Sequence, residues 1–273
     1  MEWFDDALAL SARPHGEFSA IAMLLTRSHG RCAGLLPGGW SSGGRVQPGH
    51  LVEARWRARL ADHLGAWRLE PVRDYAAPLL DQPLPLAALV AACAVVETAC
   101  PERAPCPAMF DALLALLEAL TLPVWGEAYV CWELGVLAEL GFGLDLSRCA
   151  ATGAEDGLSA GQTLTHVSPR TGRAVSAAAA QPYLDRLLPL PGFLIGRGGG
   201  GPAEVADGLR LTGWFLSRHL SATPPARSRL AEELARAAVA ASSIPAPATS
   251  AADEIDAGLT IGVNGAAGLG RMA

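Results

Sequence analysis

The chain has 273 residues, 51% of them hydrophobic, and a formal charge of −6. That apolar content can bury sizeable cores in one or two domains, while the negative balance excludes a protein that coats nucleic acid wholesale. All 21 basic residues are arginine, which excludes a phosphate-loop lysine, a Schiff base and a lysine general base.

The charge is uneven. Residues 1–78 hold nine Arg against eight Asp and Glu, a net +1, so the remainder carries −7. A polyanion is expected to prefer the N-terminal part. The opening Met1-Glu2-Trp3-Phe4-Asp5-Asp6 is acidic, unlike a signal peptide. The longest apolar run, Leu86 to Val96, is too short to span a bilayer. The six cysteines form no Cys-x-x-Cys pair, and the expectation is a cytoplasmic protein with reduced thiols and no membrane contact.

In chain order, Asp6 to Arg13 reads as a short strand and Pro14-His15-Gly16 as a turn. Glu17 to Arg27 is a second strand, and Ser28-His29-Gly30 reverses the chain into Arg31 to Leu36, a hairpin signal. A loop from Pro37 to Gly49 contains five glycines. Within it Gly39-Trp40-Ser41-Ser42-Gly43 matches the G-x-S-x-G pattern of serine hydrolases, but no helix follows, so Ser41 reads as a loop residue and no catalytic residue is expected. Next, Leu51 to Arg59 alternates Val52, Ala54, Trp56 and Ala58 with Glu53, Arg55, Arg57 and Arg59. Period two marks a half-buried strand. Trp56 falls on its core side, and three arginines line its wet side at a spacing suited to phosphates. Leu64 to Val72 is a fifth strand, with Trp67 and Leu69 inward. Five short strands in this length predict a small closed barrel over residues 1–76.

From Leu79 the period becomes helical. Leu84 to Cys100, Ala108 to Leu120, Glu127 to Leu140, Glu204 to Leu220 and Pro225 to Ala241 read as helices, giving an α-helical domain over 77–241. Asp145 to Ala180 reads as polar and irregular, and Gly198 to Gly201 as a linker. Residues 242–273, rich in Ala, Gly, Pro and Ser, read as a disordered tail. Cys93 and Cys100 are seven apart and share a helix face. Together with Cys131 they are expected to be buried small hydrophobes.

Several markers resemble the bacterial RecO recombination-mediator family. They are Gly16-Glu17, Leu25-Thr26-Arg27-Ser28-His29-Gly30, Leu35, Gln47-Pro48-Gly49, Pro101-Glu102-Arg103, Leu140 to Leu146 with Cys149, Val167-Ser168-Pro169 with Gly172, and Leu187 to Pro191. The resemblance implies a two-domain α+β protein: an N-terminal five-stranded OB-fold barrel, then an α-helical domain. It also implies a non-enzymatic role in recombinational DNA repair, with no cofactor, in the cytoplasm at the nucleoid. Such a protein would bind single- and double-stranded DNA, anneal complementary strands and act with RecR so that RecA replaces single-strand-binding protein.

On such a barrel the candidate DNA surface is Arg27, Arg31, Trp40, Arg45, Arg55, Arg57 and Arg59. The family usually carries several basic residues in the loop after the third strand. Here that loop has only Arg45, with Trp40 to add base stacking, which predicts a shallower salt dependence. Many RecO-like proteins hold a four-cysteine zinc site within residues 145–180. This chain keeps only Cys149, with Thr152 at a partner position and Arg173-Ala174-Val175-Ser176 beyond, so a degenerate, metal-free segment is expected. It would be held by packing and hydrogen bonds through Val167-Ser168-Pro169 and Tyr183.

The family is also expected to bind the acidic, apolar C-terminal tail of single-strand-binding protein. Leu113, Leu116, Leu117, Trp125, Trp132, Val136 and Leu140 offer groove or core side chains, and Arg103, Arg148 and Arg186 offer cations. Glu127, Glu133 and Glu139 would repel the tail if they faced it. The alternative is a protein-interaction scaffold whose barrel binds a protein partner rather than DNA.

Overall fold

The computed structural model describes residues 1–38, 46–60, 63–157 and 162–242. Trp40, Ser41, Arg45 and the tail beyond Ser242 lie outside the described residues.

Five strands close into a barrel in the order β1-β2-β3-β5-β4. They are β1 (Glu2–His15), β2 (Ser19–Thr26), β3 (Gly30–Pro37), β4 (His50–Arg57) and β5 (Gly65–Asp74). All pairings are antiparallel except β3 with β5, which shuts the barrel through Gly34 opposite Gly65 and Leu35 opposite Ala66. The two glycines sit where the tryptophans fill the interior. A Cβ on Gly34 would come within 2.5 Å of the Trp67 indole, and one on Gly65 within 2.1 Å of the Trp56 indole. Each indole N–H reaches a strand carbonyl: Trp56 donates to Ala33 O at 3.3 Å and Trp67 to Ala22 O at 3.2 Å. The interior is otherwise small, with Ala7, Ala9, Ala22 and Ala54 around Leu24 and Val52.

Residues 7–10 of β1 are buried on both faces. Ala7 and Ala9 point into the barrel, and Leu8 and Leu10 join the helical core instead. The helix they meet is α1 (Pro83–Ala99), whose Ala88, Leu89, Ala91, Ala92, Cys93, Val95 and Val96 are all buried. A helix apolar nearly all round belongs at the centre of a domain. Against it pack α2 (Pro107–Ala119), α3 (Trp125–Glu139) and α6 (Pro225–Ser242), and α5 (Pro202–His219) packs on α3 and α6. All five helices predicted from the periodicity are present.

Between α3 and α5 lies a small sheet that the polar sequence did not announce, ordered β7-β6-β8. Its strands are β6 (Leu164–Val167), β7 (Ala174–Ser176) and β8 (Leu188–Pro189), with a short α4 (Ala177–Ala180) after β7. The segment therefore has regular structure. The turn from Ser168 is closed by Ser168 N–H to Arg173 O at 2.9 Å and Gly172 N–H to Ser168 O at 2.9 Å. Tyr183 does not help hold it, being 56% exposed. Cys93 and Cys100 are buried as expected, but Cys131 is exposed on α3. The amides of the Gly198–Gly201 linker are engaged by the chain's own carboxylates: Gly200 N–H donates to Glu204 at 2.7 Å and Gly201 N–H to Glu127 at 3.3 Å. Among the described residues no helix is long and apolar enough to cross a membrane.

Candidate nucleic-acid interface

Strand β4 lies between β1 and β5, and its register decides which side chains share its outer face. Arg57 stands opposite Glu2 on one side and Ala66 on the other. Two residues along, Arg55 stands between Phe4 and Arg68, and two further on Glu53 stands between Asp6 and Glu70. Directly opposite residues on one face lie close enough to interact, so the face is divided along the strands. One end is cationic and aromatic, with Arg55, Arg57, Arg68 and Phe4; the other is acidic.

Phe4 is 68% exposed, and the Arg55 guanidinium lies 5.0 Å from its ring centroid. Arg55 also pairs with Glu2. That hydrogen bond holds the Glu2 carboxyl below its ordinary range, and the positive field of Arg55 and Arg57 adds to the effect. The Arg57 and Arg59 side chains are exposed and make no hydrogen bond or ion pair among the described residues. A groove of about 560 Å³ runs over the face, lined by Phe4, Arg55 and Arg68 and by Asp5, Asp6, Glu53 and Glu70.

Arg27 and Arg31 occupy a different place, the junction of barrel and helical domain. Arg27 donates to Asp111 on α2 at 2.6 Å and lies 4.5 Å over the Phe110 ring. Arg31 donates from Nε to the Cys100 carbonyl at 2.8 Å, and its own carbonyl accepts from Arg103 N–H at 2.9 Å. The turn between the two arginines is built to dock. Thr26 Oγ1 donates to Gly30 O at 3.0 Å and accepts from His29 N–H at 3.1 Å. Asp5 accepts from Ser28 N–H at 2.7 Å, and Trp3 stacks on the His29 ring at 3.9 Å. Gly30 has φ +71°, and a Cβ there would lie 2.0 Å from Ala104 O. Only a glycine admits both that conformation and that approach.

Cys149, ahead of the small sheet, is buried with Ser176 and Thr152 as its hydrogen-bonding neighbours. Ser176 N–H donates to its sulfur at 3.3 Å, and Ser176 Oγ lies 3.4 Å away. Burial pushes the Cys149 thiol up, but hydrogen bonds from Ser176 and Thr152 outweigh it and pull it down to about 6. No group of three or more His, Cys, Asp or Glu converges among the described residues. One thiol with two hydroxyl neighbours does not make a tetrahedral zinc site.

The tail-binding candidates sort differently. Leu113, Leu116, Leu117, Trp132 and Val136 are core. Glu133 is fully buried and held by Arg227, with bonds of 2.9 Å to Oε1 and 2.8 Å to Oε2, while Thr212 donates to the same carboxylate. It therefore faces no tail. Arg148 pairs with Glu155 at 2.9 Å, and Arg103 donates to His63 O at 3.0 Å.

A family model described as the N-terminal part of recombination protein O matches residues 1–74, and one described as its C-terminal part matches residues 81–229. The chain belongs to the RecO family. It is 56% identical over 254 residues to the DNA repair protein RecO of Rhodospirillum centenum, covering 90% of this chain and all of the relative. It is 51% identical over 246 residues to that of Phenylobacterium zucineum, covering 87% and 99%. It is 48% identical over 256 residues to that of Rhodospirillum rubrum, covering 86% and 97%. The barrel is thus the family's OB-fold, and the role of this RecO chain lies in DNA repair and recombination. The sequence reading missed Phe4 and Arg68 as members of the β4 face. The sequence reading begins the first strand at Asp6, whereas β1 runs from Glu2, so Phe4 lies outside it, and only the register with β4 brings it beside Arg55.

Proposed function

We propose that this RecO chain is a non-enzymatic mediator that binds single- and double-stranded DNA and anneals complementary strands. Acting with RecR, it would promote RecA loading onto DNA covered by single-strand-binding protein, whose C-terminal tail it would also contact. The observation that carries the reading is the cationic end of the β4 face, where Arg55 lies beside an exposed Phe4, with Arg57 on the same strand and Arg68 on the next. Guanidinium groups hold phosphates in pairs, and an exposed ring stacks a base regardless of sequence. Arg59 extends the strip beyond the strand, and Trp40 and Arg45, which precede β4 in sequence, are proposed as further members. Arg27 and Arg31 support the surface by fixing the barrel on the helical domain. Holding strands on a cationic surface lowers their mutual repulsion, so annealing needs no nucleotide hydrolysis.

The acidic end of the same face, with Asp6, Glu53 and Glu70, favours a second reading in which the barrel binds a protein. The two separate in a titration of labelled single-stranded DNA followed by anisotropy at several salt concentrations. The DNA reading expects affinity to fall with log salt at a slope of about −2 to −3, from three or four phosphate contacts at roughly 0.7 counterions each. Negligible binding at low salt overturns it and favours the protein partner.

A further inference from the structure

A second surface, on the small sheet and α5, has the composition of a strand-binding site. An open groove of about 450 Å³ runs beside β7 and the following segment, with Arg170, Tyr183 and Arg186 at its polar rim. Pro169, also on its wall, accepts a 3.2 Å hydrogen bond from the Trp214 indole. Over the Trp214 ring lies the Arg218 guanidinium, 4.6 Å from the centroid. Three arginines and two exposed rings (Tyr183 at 56%, Trp214 at 40%) are thus linked through the groove and Pro169 into one strip.

The charge state of this strip differs from that of its surroundings. Arg148 and Arg173, the other arginines of the sheet, are neutralised by Glu155 and Asp145. Arg170, Arg186 and Arg218 are exposed and pair with no carboxylate among the described residues. Asp185 is the acid adjoining them in sequence. Three cations against one acid, beside two exposed rings, match a phosphate backbone with unstacked bases better than a compact carboxylate.

We infer that Arg170, Tyr183, Arg186, Trp214 and Arg218 form a second nucleic-acid site, one that takes a single strand while the β4 face holds another. This deepens the proposed function and rests on it. Beyond the lowered repulsion at the β4 face, a second surface would let two complementary strands be held and meet on the same molecule.

The test uses the full chain and labelled oligo-dT of about ten nucleotides, within the usual span of one such site. The parent is expected to bind two oligonucleotides per chain at low salt, and the R170A/R186A/R218A variant one. The variant should anneal complementary strands at least about tenfold more slowly, with a salt slope shallower by about two. These side chains are exposed, and circular dichroism checks that the fold is kept. A variant that binds two oligonucleotides and anneals as the parent does overturns the second site and leaves the β4 reading intact. A parent that binds no DNA overturns both. If the variant binds DNA as before but loses a short acidic peptide ending in an apolar residue, the strip is a peptide site and the inference fails.

Discussion

At the end of β4 Arg57, and just beyond it Arg59, stand exposed with no ion pair among the described residues. At the centre of the helical domain Arg227 is 5% exposed and bonded to Glu133, to Thr212 and to the Leu209 carbonyl at 2.6 Å. The residue type is the same, but its surroundings give it opposite roles. A buried guanidinium is stable only when every donor is met, and its partner must then be buried too. An exposed one costs little to keep and retains its donors for a ligand. Arg27 and Arg31 lie between these extremes, with donors spent on α2 and on the end of α1. A buried partner therefore withdraws an arginine from DNA, whereas an exposed ion pair, such as Arg55 with Glu2, costs little to exchange for a phosphate.

The sharpest way to break this contrast is to treat the buried arginine as if it were a surface one. Arg227→Met leaves Glu133 charged and unpaired in the core and should cost about 3–5 kcal/mol in urea denaturation. Replacing both partners, Glu133→Leu with Arg227→Met, should recover most of that loss. Equal losses in the single and double variants would mean the pair is not the lock between α3, α5 and α6.

The next effect lies at the junction. Gly30→Ala places a Cβ in a left-handed turn and against Ala104 O, so a loss of about 2–4 kcal/mol is expected. An unchanged melting temperature would show that the turn does not press on residue 104.

The smallest effect concerns Cys149. Its thiol in the folded chain sits at about 6, below the ordinary 9. A depressed acid contributes stability that is complete above the unfolded value and is lost as pH falls through the folded one. The stability of the parent relative to Cys149→Ala should therefore grow from pH 6 to pH 9. A difference that is flat over that range would mean the thiol stays protonated and acts only as a small apolar group.

Much of this arrangement was readable along the chain because it is local. The alternation in β4 put Trp56 inside, where it is 3% exposed, and the three- and four-residue steps marked each long helix. What escaped was non-local. The partner of Arg27 lies 84 residues away, that of Arg31 69 and that of Arg227 94, and no periodicity carries such pairings. Strands β6 to β8 are two to four residues long, too short to show a period-two pattern. Phe4 and Arg68 joined the site only through cross-strand register, which depends on barrel closure rather than on any one segment.

The central claim is that the cationic end of the β4 face holds the phosphates. The most direct test compares the parent with R55A/R57A/R68A for single-stranded DNA binding by anisotropy across a salt series. The account predicts affinity roughly ten- to a hundredfold lower, a salt slope shallower by about two and a similar loss for every base sequence. A triple variant that binds DNA with the parent's affinity and salt slope would contradict it.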